Sequence, residues 1–157
     1  MAAEPDYRND LEFTKLLARR SDVNVTIAAL EIARDAYPNL DFGKTLHWID
    51  ARGHELAGPV ARARDEMDVL QAISDCLGSK HGLRGNDQAY EKPDSSFLNR
   101  IIETSSGLPI GLSILYMAVA ERVRVDLRGV SAPRHFLLRY ESAEGPLYID
   151  AFSGGRV

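Results

Sequence analysis

The sequence predicts an α+β fold, because helical patterns fill its first half and strand patterns follow a buried helix near its end. Apolar residues recur at helical spacing over residues 1–80. Residues 110–123 are apolar on nearly every side, and three short segments rich in β-branched and aromatic residues come after them. We therefore expect a helical N-terminal half, residues 1–80, and a core formed by residues 81–157. In that core a central buried helix packs on a small antiparallel sheet, and the two parts form one compact unit.

Four helices are predicted in the first half. Their apolar stripes place them at residues 10–20, 25–37, 41–57 and 65–77. Pro38 ends the second helix, and the pair Gly58-Pro59 marks a break after the third. The segment from Gly78 to Ser96 is rich in turn-forming residues and predicts a loop.

The second half begins with a short helix over residues 97–104, and Pro109 then fits the first turn of the buried helix. Strands are predicted at residues 125–130, 135–140 and 147–152. A hairpin turn within residues 141–145 joins the last two strands. The chain shows no clear stop at residue 157, so the natural protein is expected to continue.

Composition excludes several classes of protein. The 157 residues carry a net charge of −4, which argues against a nucleic-acid binder, since such proteins usually present a basic face. No apolar run is long enough to span a membrane. The single cysteine, Cys76, excludes an internal disulfide and fits a reducing compartment. A cytoplasmic location is expected.

A histidine and an aspartate in the last two strands form the first candidate site. If the hairpin is symmetric about Ser142 and Ala143, His135 lies directly opposite Asp150, with Cβ atoms about 5 Å apart. A carboxylate at that distance holds the imidazole in one tautomer, as the orienting acid of a catalytic triad does. The same two residues also fit a structural polar pair at the edge of a sheet, and the residue types leave both interpretations open.

The nucleophile of such a triad is missing from the expected place. The N-terminus of a buried helix stabilises a developing anion, but the first turn here holds Pro109, Ile110, Gly111 and Leu112. Ser113 is the nearest hydroxyl. A serine inside a buried helix more often bonds the carbonyl four residues back. Thiol chemistry at Cys76 ranks last, because that residue belongs to an apolar stripe.

No metal site or cofactor is predicted. Cys76 and His81 lack a third ligand in the sequence, and His47 and His54 share a helix face without an acidic residue at a useful spacing.

Two asparagines are weaker candidates. Gly85-Asn86 fits a turn with positive φ better than a phosphate-binding loop. Asn99 is flanked by apolar residues, so its half-buried amide is expected to tie the loop to the core.

Several motifs together resemble a known family. They are residues 82–86, 96–99, 107–113 with Leu115-Tyr116, 133–140, and 149–152 with Gly154. Their order is similar to that of the bacterial SirB-type proteins of the transglutaminase-like superfamily, which share a domain with one group of eukaryotic F-box proteins. The resemblance implies a papain-like α+β core. It matches His135 to the catalytic histidine and Asp150 to the aspartate, and it places Pro109 at or next to the cysteine position.

This chain departs from the family pattern at two further positions. SirB-type proteins commonly have serine where this chain has Gly111, and glycine where it has Arg134. The arginine adds a large charge beside the expected pocket. Family members usually continue into a helical-repeat region, and some relatives look like adaptors in regulated protein turnover.

Two functions follow as hypotheses. The first is a non-catalytic interaction or adaptor domain that retains a His–Asp pair without the nucleophilic cysteine and binds a protein or peptide. Asn86, Asn99 and Arg134 are its candidate binding residues. The alternative is a hydrolase or acyltransferase that uses Ser113 with His135 and Asp150. Neither hypothesis needs a nucleic acid or a membrane, and the sequence does not fix the oligomeric state.

Overall fold

The computed structural model describes residues 10–157, so the first nine residues of the predicted helical half lie outside it. Within this range the elements are α1 (Leu11–Leu17), α2 (Val25–Ala36), α3 (Phe42–Arg62), α4 (Glu66–Ser74), a π-helical segment (Asp75–Lys80), two 3₁₀ turns (Asp87–Glu91 and Pro93–Ser96), α5 (Leu98–Thr104), α6 (Pro109–Arg122), β1 (Arg128–Ala132), β2 (His135–Ser142) and β3 (Gly145–Ile149). The strands form one antiparallel sheet in the order β1-β2-β3. The predicted α+β class is confirmed.

Helix α6 is the centre of the fold. It contacts α2, α3 and α5 as well as β2, and Leu112, Leu115 and Val119 are fully buried. Apolar residues occur on all of its sides, as expected for a helix that is surrounded by other elements. The predicted central buried helix that packs on a small sheet is therefore present.

A single hydrophobic cluster joins the helical half to the sheet. It runs from Leu30 on α2 and Ile49 on α3, through α6, to Leu138 on β2 and Ile149 on β3. Each of these four side chains is fully buried. The two parts expected from the sequence consequently share one core.

Helix α3 continues through the predicted break and includes Pro59. Proline inside a helix removes one backbone hydrogen bond, but only three residues follow before the helix ends at Arg62. Gly53 allows α3 to pack closely on α6, because a Cβ at that position would lie 2.5 Å from Cβ of Arg122. The break predicted at Gly58-Pro59 is therefore wrong.

The fourth helix ends earlier than predicted and changes its winding. Its α-helical part stops at Ser74, and the chain then widens into the π-helical segment. Gly78 in this segment packs against the carbonyl of Gly154, where a Cβ would overlap that carbonyl. The close approach requires glycine, so the C-terminal turn of the chain rests directly on the segment.

Two tight turns set the register of the sheet. Ala132 pairs with His135, so Pro133 and Arg134 form the first turn, in which Arg134 has a φ of +62°. Proline followed by a residue of positive φ is the pattern of a type II turn. The second turn consists of Ala143 and Glu144, between the paired residues Ser142 and Gly145.

The second turn lies one residue later than predicted. Gly145 directly follows it and has a φ of +123°, a backbone conformation that favours glycine. With this turn Leu138 pairs with Ile149, and β3 ends at Ile149 instead of residue 152. Among residues 10–157 no helix is long and apolar enough to cross a membrane.

Candidate functional site

A groove of about 680 Å³ opens at the N-terminus of α6. Its walls come from α2, the loop before α5, the first turns of α6, and the turn between β1 and β2. Most of its lining is apolar and includes Ala29, Ile32, Phe97, Ile110, Ile114 and Phe136. The groove therefore includes the start of α6, where the sequence led us to expect a nucleophile.

The first turn of α6 presents backbone groups but no nucleophile to this groove. Pro109, Ile110 and Gly111 all line it. The N–H groups of Ile110 and Gly111 have no carbonyl partner within the helix, because the first residues of an α-helix never do. Leu108 adds no side-chain cap. The helix dipole gives this end a partial positive charge.

A side chain at position 111 would collide with the core. A Cβ on Gly111 would lie 2.5 Å from Cδ1 of Ile101, and one on Gly107 would lie 2.6 Å from Cγ1 of the same residue. Ile101 is fully buried. Its side chain thus occupies the space that a Cβ atom at position 107 or 111 would need.

Ser113 does not face the groove. Its side chain is fully buried, and its hydroxyl has no hydrogen-bond partner among the described residues. The expected bond to the carbonyl of Pro109 is not formed. The structure therefore leaves Ser113 out of reach of a bound substrate in this conformation.

His135 lies at the mouth of the groove as the first residue of β2. Its imidazole is exposed and makes no hydrogen bond with any residue from 10 to 157. Arg134 lines the same side of the groove, and its guanidinium has no ion-pair partner in the described part of the chain. These two side chains are the only basic groups in the lining, and no described carboxylate lines the groove.

Asp150 is not paired with His135. In the observed register the residue opposite Asp150 would be Leu137, and the carboxylate bonds to the chain that follows it. Its Oδ1 accepts hydrogen bonds from the backbone N–H groups of Phe152 (3.1 Å) and Ser153 (3.3 Å). The predicted direct opposition is wrong, because Gly145 shifts the hairpin turn by one residue and the register by two.

The three residues expected to bind a partner do not share a site. Arg134 lines the groove, whereas Asn86 and Asn99 line two other cavities. Nδ2 of Asn86 donates a 3.1 Å hydrogen bond to Oγ of Ser106. Oδ1 of Asn99 is buried without a partner in the described chain, so the predicted tie from its amide oxygen to the core is absent.

The turn predicted at Gly85-Asn86 also differs. Asn86 has an extended backbone with a φ of −148°, and Gly85 does not have positive φ. Glycine is required at position 85 because the ring of Phe152 occupies the space where a Cβ would lie. This need for glycine arises from a contact with a residue far along the chain, so the neighbouring residues in sequence do not predict it.

Sequence reasoning also missed a cluster on another face. Cys76 and His81 come together with Glu55 of α3, and one ligand-type atom from each lies within 4.8 Å of the other two. Glu55 lies more than 20 residues from Cys76, so no local spacing pointed to it. These three side chains are the described residues best placed to hold a metal ion.

The chain matches a family model over most of its length. A family model described as transglutaminase-like superfamily matches residues 44–157, well over half of the chain. The chain belongs to the transglutaminase-like superfamily. This confirms the resemblance inferred from the motifs.

Relatives of this superfamily domain occur in bacteria and animals. The chain is 37% identical over 128 residues to a UPF0162 protein of Xylella fastidiosa. The aligned region covers 82% of this chain and 46% of the relative. It is 33% identical over 127 residues to F-box only protein 21 of Mus musculus, covering 72% of the chain and 20% of the relative. The chain is 22% identical over 129 residues to UPF0162 protein YchA of Escherichia coli. That aligned region covers 82% of this chain and 47% of the relative.

The chain thus spans about half the length of the UPF0162 relatives from Xylella fastidiosa. No solved structure matches it significantly. The comparisons establish the superfamily, and the roles of His135, Asp150, Ser113, Asn86, Asn99 and Arg134 remain predictions.

Proposed function

We propose that this domain binds an extended segment of another protein in the groove at the start of α6, without forming a covalent bond to it. The main support is the lining of the groove. Apolar side chains such as Ile32, Phe97 and Ile110 surround about 680 Å³ of open space, and Ile110 is 59% exposed. Burial of a partner's apolar side chain against such a surface is favourable.

Charge complementarity specifies the partner further. Arg134 and the N-terminus of α6 both give the groove positive potential, and no carboxylate of the described residues lines it to offset them. A carboxylate next to the apolar anchor would meet the guanidinium of Arg134 and the N–H groups of Ile110 and Gly111. The proposed partner is therefore an extended peptide segment with an apolar side chain adjacent to an acidic one.

The start of α6 supports binding in preference to catalysis. Papain-type chemistry needs a side chain with an attacking atom in the first turn, and the groove-lining residues there are Pro109, Ile110 and Gly111. The alternative hydrolase through Ser113 gains no support, because that hydroxyl is buried and lies outside the groove lining. His135 would then serve as a second polar contact at the groove mouth.

The relatives agree with an adaptor role. One group of them is named for an F-box, and the matched part is about a fifth of those proteins. A domain that recurs as a small part of a larger protein fits a binding module that brings a partner to other domains. In this proposal the present chain is also such a binding module.

Peptide selection followed by measured affinities tests the proposal. A random peptide library displayed on phage is selected on the purified protein, and the enriched peptides are titrated by fluorescence anisotropy. We expect a consensus with one apolar and one acidic residue. Replacing the peptide's carboxylate by an amide should weaken binding about tenfold, which corresponds to about 1.4 kcal/mol.

Matched variants connect that binding to the groove. Ile110→Glu should abolish it and Arg134→Gly should weaken it about tenfold, whereas Arg128→Ala should leave it unchanged. Arg128 is an exposed arginine of the same sheet and does not line the groove. Peptides that bind Ile110→Glu as tightly as the native protein, or that the protein cleaves or acylates, would contradict the proposal.

A further inference from the structure

A cluster of three chemically distinct side chains lies outside the groove. Glu55 comes from α3, Cys76 lies within the π-helical segment, and His81 directly follows that segment. Oε2 of Glu55 is 2.8 Å from Nε2 of His81 and 3.6 Å from Sγ of Cys76. None of the three takes part in the proposed peptide binding.

The donor atoms are those that zinc prefers. Zn²⁺ binds thiolate sulfur at about 2.3 Å and imidazole nitrogen or carboxylate oxygen at about 2.0–2.2 Å in tetrahedral sites. Tetrahedral angles at these bond lengths place neighbouring donors roughly 3.3–3.7 Å apart. The contact between Cys76 and Glu55 already has this spacing, and the contact between Glu55 and His81 needs to open by about half an ångström.

The backbone holds the three ligands in position. In the π-helical segment the chain widens, and its end is fixed because the N–H of His81 donates to the carbonyl of Cys76 at 3.0 Å. The ring of Trp48 stands edge-on to His81 with centroids 6.1 Å apart. Wide turns of this type in helices occur frequently at functional sites.

The cluster is also accessible to an ion. Cys76 is buried, but the side chains of His81 and Glu55 are 22% and 29% exposed. Three protein ligands on one side leave the fourth tetrahedral position toward solvent, where a water molecule completes the coordination.

Two cations contact Glu55. Nζ of Lys80 is 3.0 Å from Oε1, and Nε of Arg52 is 2.9 Å from Oε2. Nε of Arg52 is buried and makes no hydrogen bond in the described chain, so its contact with Glu55 is an ion pair without hydrogen-bond geometry. Nη1 of Arg52 also lies 3.4 Å from Nδ1 of His81. A metal ion would displace this poorly bonded guanidinium, which already lies over the ring of Trp48 at 5.0 Å.

We propose that Glu55, Cys76 and His81 bind one Zn²⁺ ion. On binding, the bond between sulfur and hydrogen in the Cys76 thiol breaks, the sulfur bonds to zinc, and the proton passes to solvent. Arg52 and Lys80, which contact Glu55, should oppose binding as competing cations.

Cobalt spectroscopy provides a direct test, because Co²⁺ replaces zinc in such sites and reports its ligands. The purified protein is titrated with Co²⁺ and then with Zn²⁺ in competition. We expect one equivalent to give a thiolate-to-cobalt charge-transfer band and tetrahedral d–d bands, both removed by Zn²⁺. The charge-transfer band should vanish in Cys76→Ser, which changes a single atom of the side chain.

Further variants separate a binding site from a purely structural network. His81→Ala should weaken binding at least tenfold, and Arg52→Gln should strengthen it. His54→Ala, which removes an exposed histidine of the same helix, should have no effect. Circular dichroism confirms that each variant is folded. The proposal fails if the native protein shows no charge-transfer band at stoichiometric cobalt, even if Arg52→Gln shows one. It also fails if the band persists in Cys76→Ser.

Discussion

The hydroxyl of Ser153 donates a 2.8 Å hydrogen bond to Oδ2 of Asp150. The other carboxylate oxygen accepts from the backbone N–H groups of Phe152 and Ser153. Asp150 also uses its own N–H, which donates to the carbonyl of Arg156 at 2.8 Å. The carboxylate therefore holds the C-terminal turn in place, and we expect its main contribution to be to stability.

Asp150→Ala should lower the free energy of unfolding by about 2 kcal/mol, because a charged acceptor of three hydrogen bonds is lost. His135→Ala should change it by less than about 0.5 kcal/mol, since the imidazole is exposed and unbonded. Urea unfolding of both single variants and the double variant gives the coupling between them. A coupling energy near zero is expected, and one above about 1 kcal/mol would contradict the observed arrangement.

Arg134→Gly should stabilise the protein while weakening peptide binding. Arg134 occupies a left-handed conformation that disfavours residues with a Cβ, and relief of this strain should add about 0.5 kcal/mol to the free energy of unfolding. Thermal and urea unfolding measure the gain. Arg128→Ala serves as the control for loss of a surface charge. A lower free energy of unfolding in Arg134→Gly would contradict this prediction, because it would mean that arginine causes no strain in the turn.

Ser113→Ala should leave the protein folded and make it more stable by about 1 kcal/mol, because a buried hydroxyl without a partner is removed. Ser74→Ala is the matched control. Its buried hydroxyl donates to the carbonyl of Gly155, so this variant should lose about 1 kcal/mol. An electrophilic serine probe that labels Ser113 in the native protein would instead favour the hydrolase alternative.

Glu55 should make stability sensitive to acid. Burial alone would raise its pKa, but hydrogen bonds from Lys80 and His81 outweigh this effect, and the pKa falls from 4.5 to about 2. A folded-state pKa below the unfolded one means that the charged carboxylate stabilises the protein above pH 4.5, and that this contribution is lost as the pH falls toward 2.

The comparison of Glu55→Gln with the native protein measures this contribution. Because Glu55 is partly exposed to solvent, we expect a difference of about 1 kcal/mol near neutral pH. The difference should shrink between pH 4.5 and 2. Glu144→Gln, which removes an exposed carboxylate without an ion-pair partner among residues 10–157, should show no such change. A constant difference across this range would mean that Glu55 has an ordinary pKa in the folded protein.

Local signals were sufficient to locate the helices, but not to predict where α3 and α4 end. Asn24, Asp41 and Asp65 accept hydrogen bonds from the first turns of α2, α3 and α4, as N-cap residues do. Apolar spacing and Pro109 predicted α6 to within one residue. These features depend on neighbours in sequence, and so the sequence alone contains them.

Three other features were not predicted. The register of β2 and β3 depends on Gly145, which directly follows the two-residue turn, whereas the sequence analysis predicts a loop symmetric about Ser142 and Ala143. Pro59 lies within α3, three residues before the helix ends at Arg62, although proline usually ends a helix. Nothing near Cys76 indicated Glu55, because tertiary packing of α3 alone brings them together.

The packing of Ile101 against Gly107 and Gly111 also limits how this domain can change over evolution. A side chain at position 107 or 111 would require the side chain of Ile101 to move, because a Cβ at either position lies within 2.6 Å of it. Positions 101, 107 and 111 are therefore expected to change together among relatives of this chain.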